Sequence, residues 1–233
     1  MATNWSELIT DNALVLIDDA RLRKELATSP AQFFRKMSLY VEMALPLLNR
    51  PPQLFDYINR EMVKPTFDDF EWTSTAESVG AEQTEVDTEK IGYELCSVCI
   101  LDEKEGTLIP YGLATYDATT GKITFPKQEK EGIIYTIDFY NDGTFADLTE
   151  SMRRLFALAI SLVWDERFGR NWLNMQMKIK DASFDTVNES NYIQQTTERT
   201  ARNKALFYSE LRKYEQDVAY KNTVKNKENI TLI

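Results

Sequence analysis

Histidine is absent from all 233 residues, so no imidazole is available as a base near neutral pH or as a metal ligand. Ser-His-Asp, Cys-His and HExxH sites are thereby excluded. Glycine (8) and proline (7) are scarce, which removes collagen-like and low-complexity readings. No apolar run approaches the roughly 20 residues needed to cross a bilayer. Met1-Ala2-Thr3-Asn4-Trp5 lacks the basic then apolar character of a secretory leader, so secretion through a cleaved leader is not expected. Cysteine occurs twice, as Cys96 and Cys99. Half a zinc site needs a second half, and there are no further Cys or His residues to supply it. The flanking Tyr93-Glu94-Leu95-Cys96-Ser97-Val98-Cys99-Ile100-Leu101 reads as a strand, where positions three apart face opposite sides. Two unlinked thiols are expected, reduced as suits cytoplasmic synthesis.

What is present is a chain able to fold. Twelve Phe, 11 Tyr and 4 Trp within a 43% hydrophobic composition supply apolar surface for one or two packed units. The net charge of −10 is unevenly spread, because residues 66 to 147 hold 18 acidic against 5 basic side chains while the rest of the chain is close to neutral. A step of this kind marks a domain boundary and opposes tight DNA binding by the acidic segment. It reads either as a solvated acidic surface or as a face that repels nucleic acid where DNA must slide past.

Periodicity divides the chain into four parts. Residues 1 to 65 read as N-terminal helices, with Leu8, Ile9, Leu14, Leu16, Ile17, Leu22 and Leu26 spaced among polar residues and Asp11 or Asn12 breaking the run. Ser29-Pro30-Ala31-Gln32 is a helix start, with a serine cap, proline in the first turn and glutamine three after the cap. Phe33, Met37, Tyr40 or Val41, Ala44 and Leu48 then form one apolar face. Residues 66 to 147 read as an acidic, mostly antiparallel β domain. Its expected strands are Phe67 to Trp72, Ile91 to Leu101, Leu108 to Tyr116, Lys122 to Phe125 and Gly132 to Tyr140. Ser74 to Lys90 is expected to be a loop, Asp117 to Gly121 a hairpin turn and Asn141-Asp142-Gly143 a reversal.

Residues 148 to 220 return to helix. Asp147 and Glu150 form a cap-like pair before Leu148, Met152, Leu155, Phe156, Ala159, Ile160 and Val163, and Phe168-Gly169-Arg170 supplies a glycine stop. A last helix from about Glu189 to Tyr220 carries Ile193, Phe207, Leu211, Tyr214 and Val218. Its first half is polar and is expected to pack polar-side against a neighbour. Residues 221 to 233 read as an extended C-terminal tail. That tail is either a frayed end or, through Ile230-Thr231-Leu232-Ile233, a strand suited to joining another subunit's sheet.

Catalytic sets are not found. Asp68, Asp69 and Glu71 lack the glycine and stepped spacing of a calcium loop, no glycine-rich phosphate loop occurs, and no spacing specifies a pair of hydrolytic carboxylates. No catalytic, cofactor-binding or metal-ligating residue is assigned, and no enzyme activity is expected. For a carbohydrate-binding surface only Trp72 lies near the strands.

The element order, with Ile137-Asp138-Phe139-Tyr140-Asn141-Asp142-Gly143-Thr144-Phe145, Met152 through Val163-Trp164-Asp165-Glu166-Arg167-Phe168, and Met177-Lys178-Ile179-Lys180-Asp181, resembles head-to-tail connector (adaptor) proteins of tailed bacteriophages, crAss-like phages among them. The likeness spans about residues 30 to 233. It implies an α+β fold in which a helical connector core carries an inserted small antiparallel β domain and an extended C-terminal tail. It implies a structural virion protein at the neck, made in the host cytoplasm and assembled as a homo-oligomeric ring, a dodecamer, beneath the portal protein. A further neck or tail ring lies below, DNA passes through without sequence-specific binding, and no membrane or cofactor is involved. Tyr220, Val224, Ile230, Leu232 and Ile233 match the segment that docks on the portal or a neighbour. Phe33, Met37, Val41, Met152, Leu155, Phe156, Phe207 and Leu211 are the expected helix-packing positions. The β insert of about 80 residues is larger than in minimal connectors. The alternative class is a non-catalytic β-domain binding module for carbohydrate or a host protein, with a carboxylate hydrolase third.

Overall fold

The computed structural model describes residues 2–17, 19–102, 106–128, 130–179 and 186–230, with side chains described outside 168–196 and 225–230. The chain combines helices with antiparallel sheets and so belongs to the α+β class. It divides into two compact units. One comprises Met1–Asp19, Met37–Met62 and Phe145–Ile233, the other Ala20–Lys36 and Val63–Thr144.

In the helical unit, β1 (Thr3–Asn4) leads into α1 (Trp5–Glu7), a π-helical stretch (Leu8–Ala13) and α2 (Leu14–Ile17). The break expected at Asp11 or Asn12 is instead a widened turn, in which Asn12 Nδ2 donates to the Glu7 carbonyl at 3.3 Å and the chain stays helical. Trp5, Leu8, Ile9, Ala13, Leu14 and Ile17 are buried, whereas Leu16, expected on the same stripe, is exposed.

α3 (Ala20–Thr28) and the first turns of α4 (Pro30–Ala44) belong to the β unit, and α4 enters the helical unit at Met37. The sequence reading grouped all of 1 to 65 together. The difference arises because Phe34 stacks on Tyr140 at 4.8 Å and Arg35 lies over the Phe67 ring, contacts between residues distant in sequence that helical periodicity does not reveal. α4 ends in a 3-10 turn (Leu45–Leu48) around Pro46, and α5 (Pro52–Asn59) follows.

At the start of α6 (Glu150–Ile179) the Thr149 hydroxyl accepts from Met152 N at 3.4 Å. Every residue from Leu155 to Asp165 is buried, so this stretch of α6 is enclosed on all sides, as an all-round apolar helix segment requires. Trp5, Phe145 and Phe156 form a ring stack at centroid spacings of 4.8 and 5.2 Å. The helix passes through Gly169 to Ile179, where a stop was expected; one glycine costs a helix only about 1 kcal/mol.

α7 (Thr186–Ile230) is 45 residues long, about 68 Å at 1.5 Å per residue. It stays helical to Ile230, over residues 221 to 230 of the segment expected to be an extended tail, whose last three residues lie outside the described residues. No glycine or proline follows Gly169, so α7 contains neither of the strongest helix breakers.

The β unit holds β2 (Thr66–Thr73), β3 (Gln83–Asp87), β4 (Glu94–Asp102), β5 (Thr107–Pro110), β6 (Thr115–Asp117), β7 (Lys122–Pro126) and β8 (Ile134–Asn141), with β9 (Thr144–Phe145) at its boundary. A four-stranded sheet has the order β2-β8-β4-β5 and a three-stranded sheet the order β3-β7-β6. Between them Val98, Ile123, Phe125, Tyr135, Ile137 and Phe139 form the core. The expected loop Ser74 to Lys90 contains β3, which pairs antiparallel with β7. Its inward residues are only Thr84 and Val86, too weak an alternation to read as a strand. The strand expected over Leu108 to Tyr116 is two strands, β5 and β6, interrupted at Tyr111-Gly112-Leu113-Ala114. The β6–β7 hairpin turns through Gly121 at φ +70°, with Thr119 N and Thr120 Oγ1 both donating to the Asp117 carboxylate at 2.9 Å.

Candidate functional site

Three surfaces carry unusual side chains, and each lies within a single unit. The first is a cleft of about 310 Å³ in the β unit, whose lining includes Cys96, Cys99, Tyr111, Thr28 and Pro30. The sequence expectation put the two thiols on opposite sides of a strand. The ladder slips between Leu95 and Ser97, so that Leu95 pairs with Phe139 and Ser97 with Asp138. Cys96 is the extra residue of this bulge, and the alternation resets across it. Both cysteines therefore reach one cleft, and both are free. Burial, reinforced by the Asp138 and Glu94 carboxylates, pushes the Cys96 thiol up to about 12, and burial likewise raises Cys99. The thiols are held neutral at physiological pH, the opposite of what a nucleophile or redox pair requires.

The second surface is acidic. Along β2, Phe70 and Trp72 turn inward, with Trp72 stacked on Phe125 at 4.4 Å and on Tyr135 at 5.4 Å. The tryptophan near the strands is thus packed on core rings. Asp69 and Glu71 alternate outward and are exposed. Asp68 takes the Lys90 ammonium, and that hydrogen bond holds its carboxyl below the usual range. Asp138, directly opposite Asp69 in the β2–β8 register, accepts from Ser97 at 2.6 Å. Among the described residues no set of three or more Cys, Asp and Glu side chains converges to hold a metal ion.

The third surface is α7. Its inner face is anchored by buried Phe207 and Leu211. Its polar first half meets α6 through Asp165, only 7% exposed, which accepts from Asn203 Nδ2 at 2.6 Å and faces Arg199 at 3.4 Å. Arg199 also donates to the Ile17 carbonyl at 2.6 Å. Burial pushes the Asp165 carboxyl up, and Asn203 and Arg199 pull it back only in part. Sequence reasoning did not single out Asp165. The available signal was an acid in the apolar run of α6 combined with Arg199 and Asn203 one helical turn apart.

Away from this seam Leu206 (39%), Tyr208 (43%) and Tyr220 (71%) are exposed. Of the residues expected to dock, Tyr220 and half-buried Val224 border one shallow cleft with Val218 and Lys221. Ile230 ends α7, with only its backbone described, and Leu232 and Ile233 lie outside the described residues. Of the expected packing residues, Phe33, Met37, Val41, Leu155, Phe156, Phe207 and Leu211 are buried and Met152 is half-buried. Phe33 lies in the β unit and the others in the helical unit.

Comparison of the chain with protein-family models, with curated proteins and with solved structures finds no match. No helix among the described residues is long and apolar enough to cross a membrane.

Proposed function

We propose that this chain is a structural subunit of a head-to-tail connector ring in a tailed bacteriophage, joining portal to tail around the DNA channel. The observation that carries the reading is α7. A helix of 45 residues whose outward side leaves Leu206, Tyr208 and Tyr220 in solvent is longer than one small unit needs, and exposed aromatic groups along it suit contact with neighbouring chains. Two further features support the reading. The 18 acidic against 5 basic residues of 66 to 147 repel a phosphate backbone, so that a duplex slides past without sticking. The thiols of the C-x-x-C pair are kept protonated, which fits a scaffold better than a redox centre. The resemblance supplies the ring of twelve, the portal above and the further ring below.

The mass of the purified chain, alone and mixed with the portal complex of the same virion, tests this by native mass spectrometry. A closed ring, formed alone or on the portal, is the expected result. A monomer indifferent to the portal overturns it and turns the search to glycan and protein ligands of the β unit.

A further inference from the structure

On α7, Arg202, Ala205, Ser209, Arg212 and Gln216 recur at alternating steps of three and four, the spacing of a helix-packing seam. All five are exposed and lie on the side away from buried Phe207 and Leu211. Tyr208, Arg212 and Lys213 border the same shallow depression as Ala205 and Ser209. Lys213 is engaged by Glu210 at 2.8 Å, whereas Arg202 and Arg212 make no ion pair among the described residues. This face is therefore small in the middle, aromatic at the flank and cationic, with its two guanidinium groups unspent.

The β unit presents the complementary pattern. Of its described cations, Lys90 is committed to Asp68 and Lys122 to Glu85, so neither neutralises Asp69 or Glu71. Asp69 and Glu71 on β2 are exposed and without an ion pair among the described residues. Asp69 also stands opposite Asp138 across the ladder, an arrangement of like charges that destabilises a sheet until a cation approaches. β2 is the outer strand of its sheet, so this acidic row lies at an edge.

We infer that the outward face of α7 in one copy docks, through Arg202 and Arg212, on the Asp69–Glu71 edge of the β unit of a second copy. The inference deepens the ring reading and rests on it. The occupant is a second copy because the chain itself carries both halves of the charge match. Like faces repel one another, so the contact joins two different patches, and a head-to-tail contact of this kind closes into a ring when its rotation completes a circle and otherwise runs on as a filament. A polyanion would satisfy the arginines but not the carboxylates. Exposed charges of this sort set partner choice and salt dependence more than raw affinity.

The test is a charge swap in the full-length chain, read by sedimentation velocity under the condition in which the wild type assembles. One variant carries R202E and R212E, the other D69K and E71K. Each alone is expected to need about tenfold or more higher concentration to assemble, roughly a 1.4 kcal/mol change. An equimolar mixture is expected to return to wild-type behaviour, because each variant presents the charge that the other now lacks. Circular dichroism confirms folding, and should a reversed variant misfold, the neutral R202Q and R212Q pair replaces it, with a shallower salt dependence expected than in wild type. Either reversed variant assembling like wild type, or a mixture that does not recover, overturns the contact and leaves the ring reading standing. A wild-type chain that stays monomeric with and without portal overturns both.

Discussion

Asp165 is the residue whose environment most constrains its chemistry. It sits in the buried stretch of α6, and burial raises its carboxyl above the ordinary range despite Asn203 and Arg199. A carboxyl raised by folding favours its protonated form in the native state. Its contribution to stability is therefore present below the unfolded value near pH 4 and is lost as pH rises through the higher folded value. Asp165→Asn, neutral at every pH, is expected to gain stability relative to wild type as pH rises from about 4 towards neutrality. Urea unfolding of both proteins at acid and neutral pH measures the difference, and a difference independent of pH would show that the carboxylate is ionised without cost. Cys96 follows the same physics with the opposite functional meaning, since its burial removes reactivity. Gly143 shows a backbone constraint: an added Cβ would lie 2.4 Å from the Val63 carbonyl oxygen and 2.6 Å from Pro65 N. The reversal expected at Asn141-Asp142-Gly143 does not form: Val63 pairs with Thr144 in the same antiparallel register as Thr66 with Asn141, so the chain runs straight on. Glycine is needed there for space beside Val63 and Pro65, where Val63 N and Thr144 N each donate to the other residue's carbonyl.

At the level of elements, helices with strong periodicity were legible. Ser29-Pro30 starts α4, Phe207 and Leu211 face inward on α7, and strands β2, β7 and β8 fall within a residue or two of their expected spans. Phe207→Ala or Leu211→Ala is expected to cost about 2 to 5 kcal/mol, because the cavity left at a buried position collapses only partly. An unchanged urea midpoint would show that this stripe carries no packing load. Elements were misread where the signal depended on a partner. β3 is a strand because β7 pairs with it, and the β4 bulge exists because β8 sets the register on either side. Neither condition is visible within a window of five residues.

For the whole molecule, the charge step at residue 66 located most of the β unit, since solvent-facing strand positions there are filled with acids. It missed Ala20–Lys36, which joins that unit through Phe34 and Arg35. The C-terminal segment is helical through Ile230, so its proposed role in docking rests on a helical rod and not on an extended strand. Deleting residues 221 to 233 is expected to leave both units folded, with an unchanged melting temperature, while abolishing attachment to the portal. Truncated protein that still loads onto portals in a co-sedimentation assay would assign docking to another surface.

Composition and periodicity were enough to establish the α+β class, to exclude every histidine-dependent chemistry and to place the apolar faces of the long helices, because these depend on local spacing and residue type alone. The tertiary structure decided the rest: which thiols share a cleft, which acid is buried and which charges are left unpaired among the described residues. Each of these turns on contacts between residues far apart in the chain, such as Asp165 with Asn203 or Leu95 with Phe139.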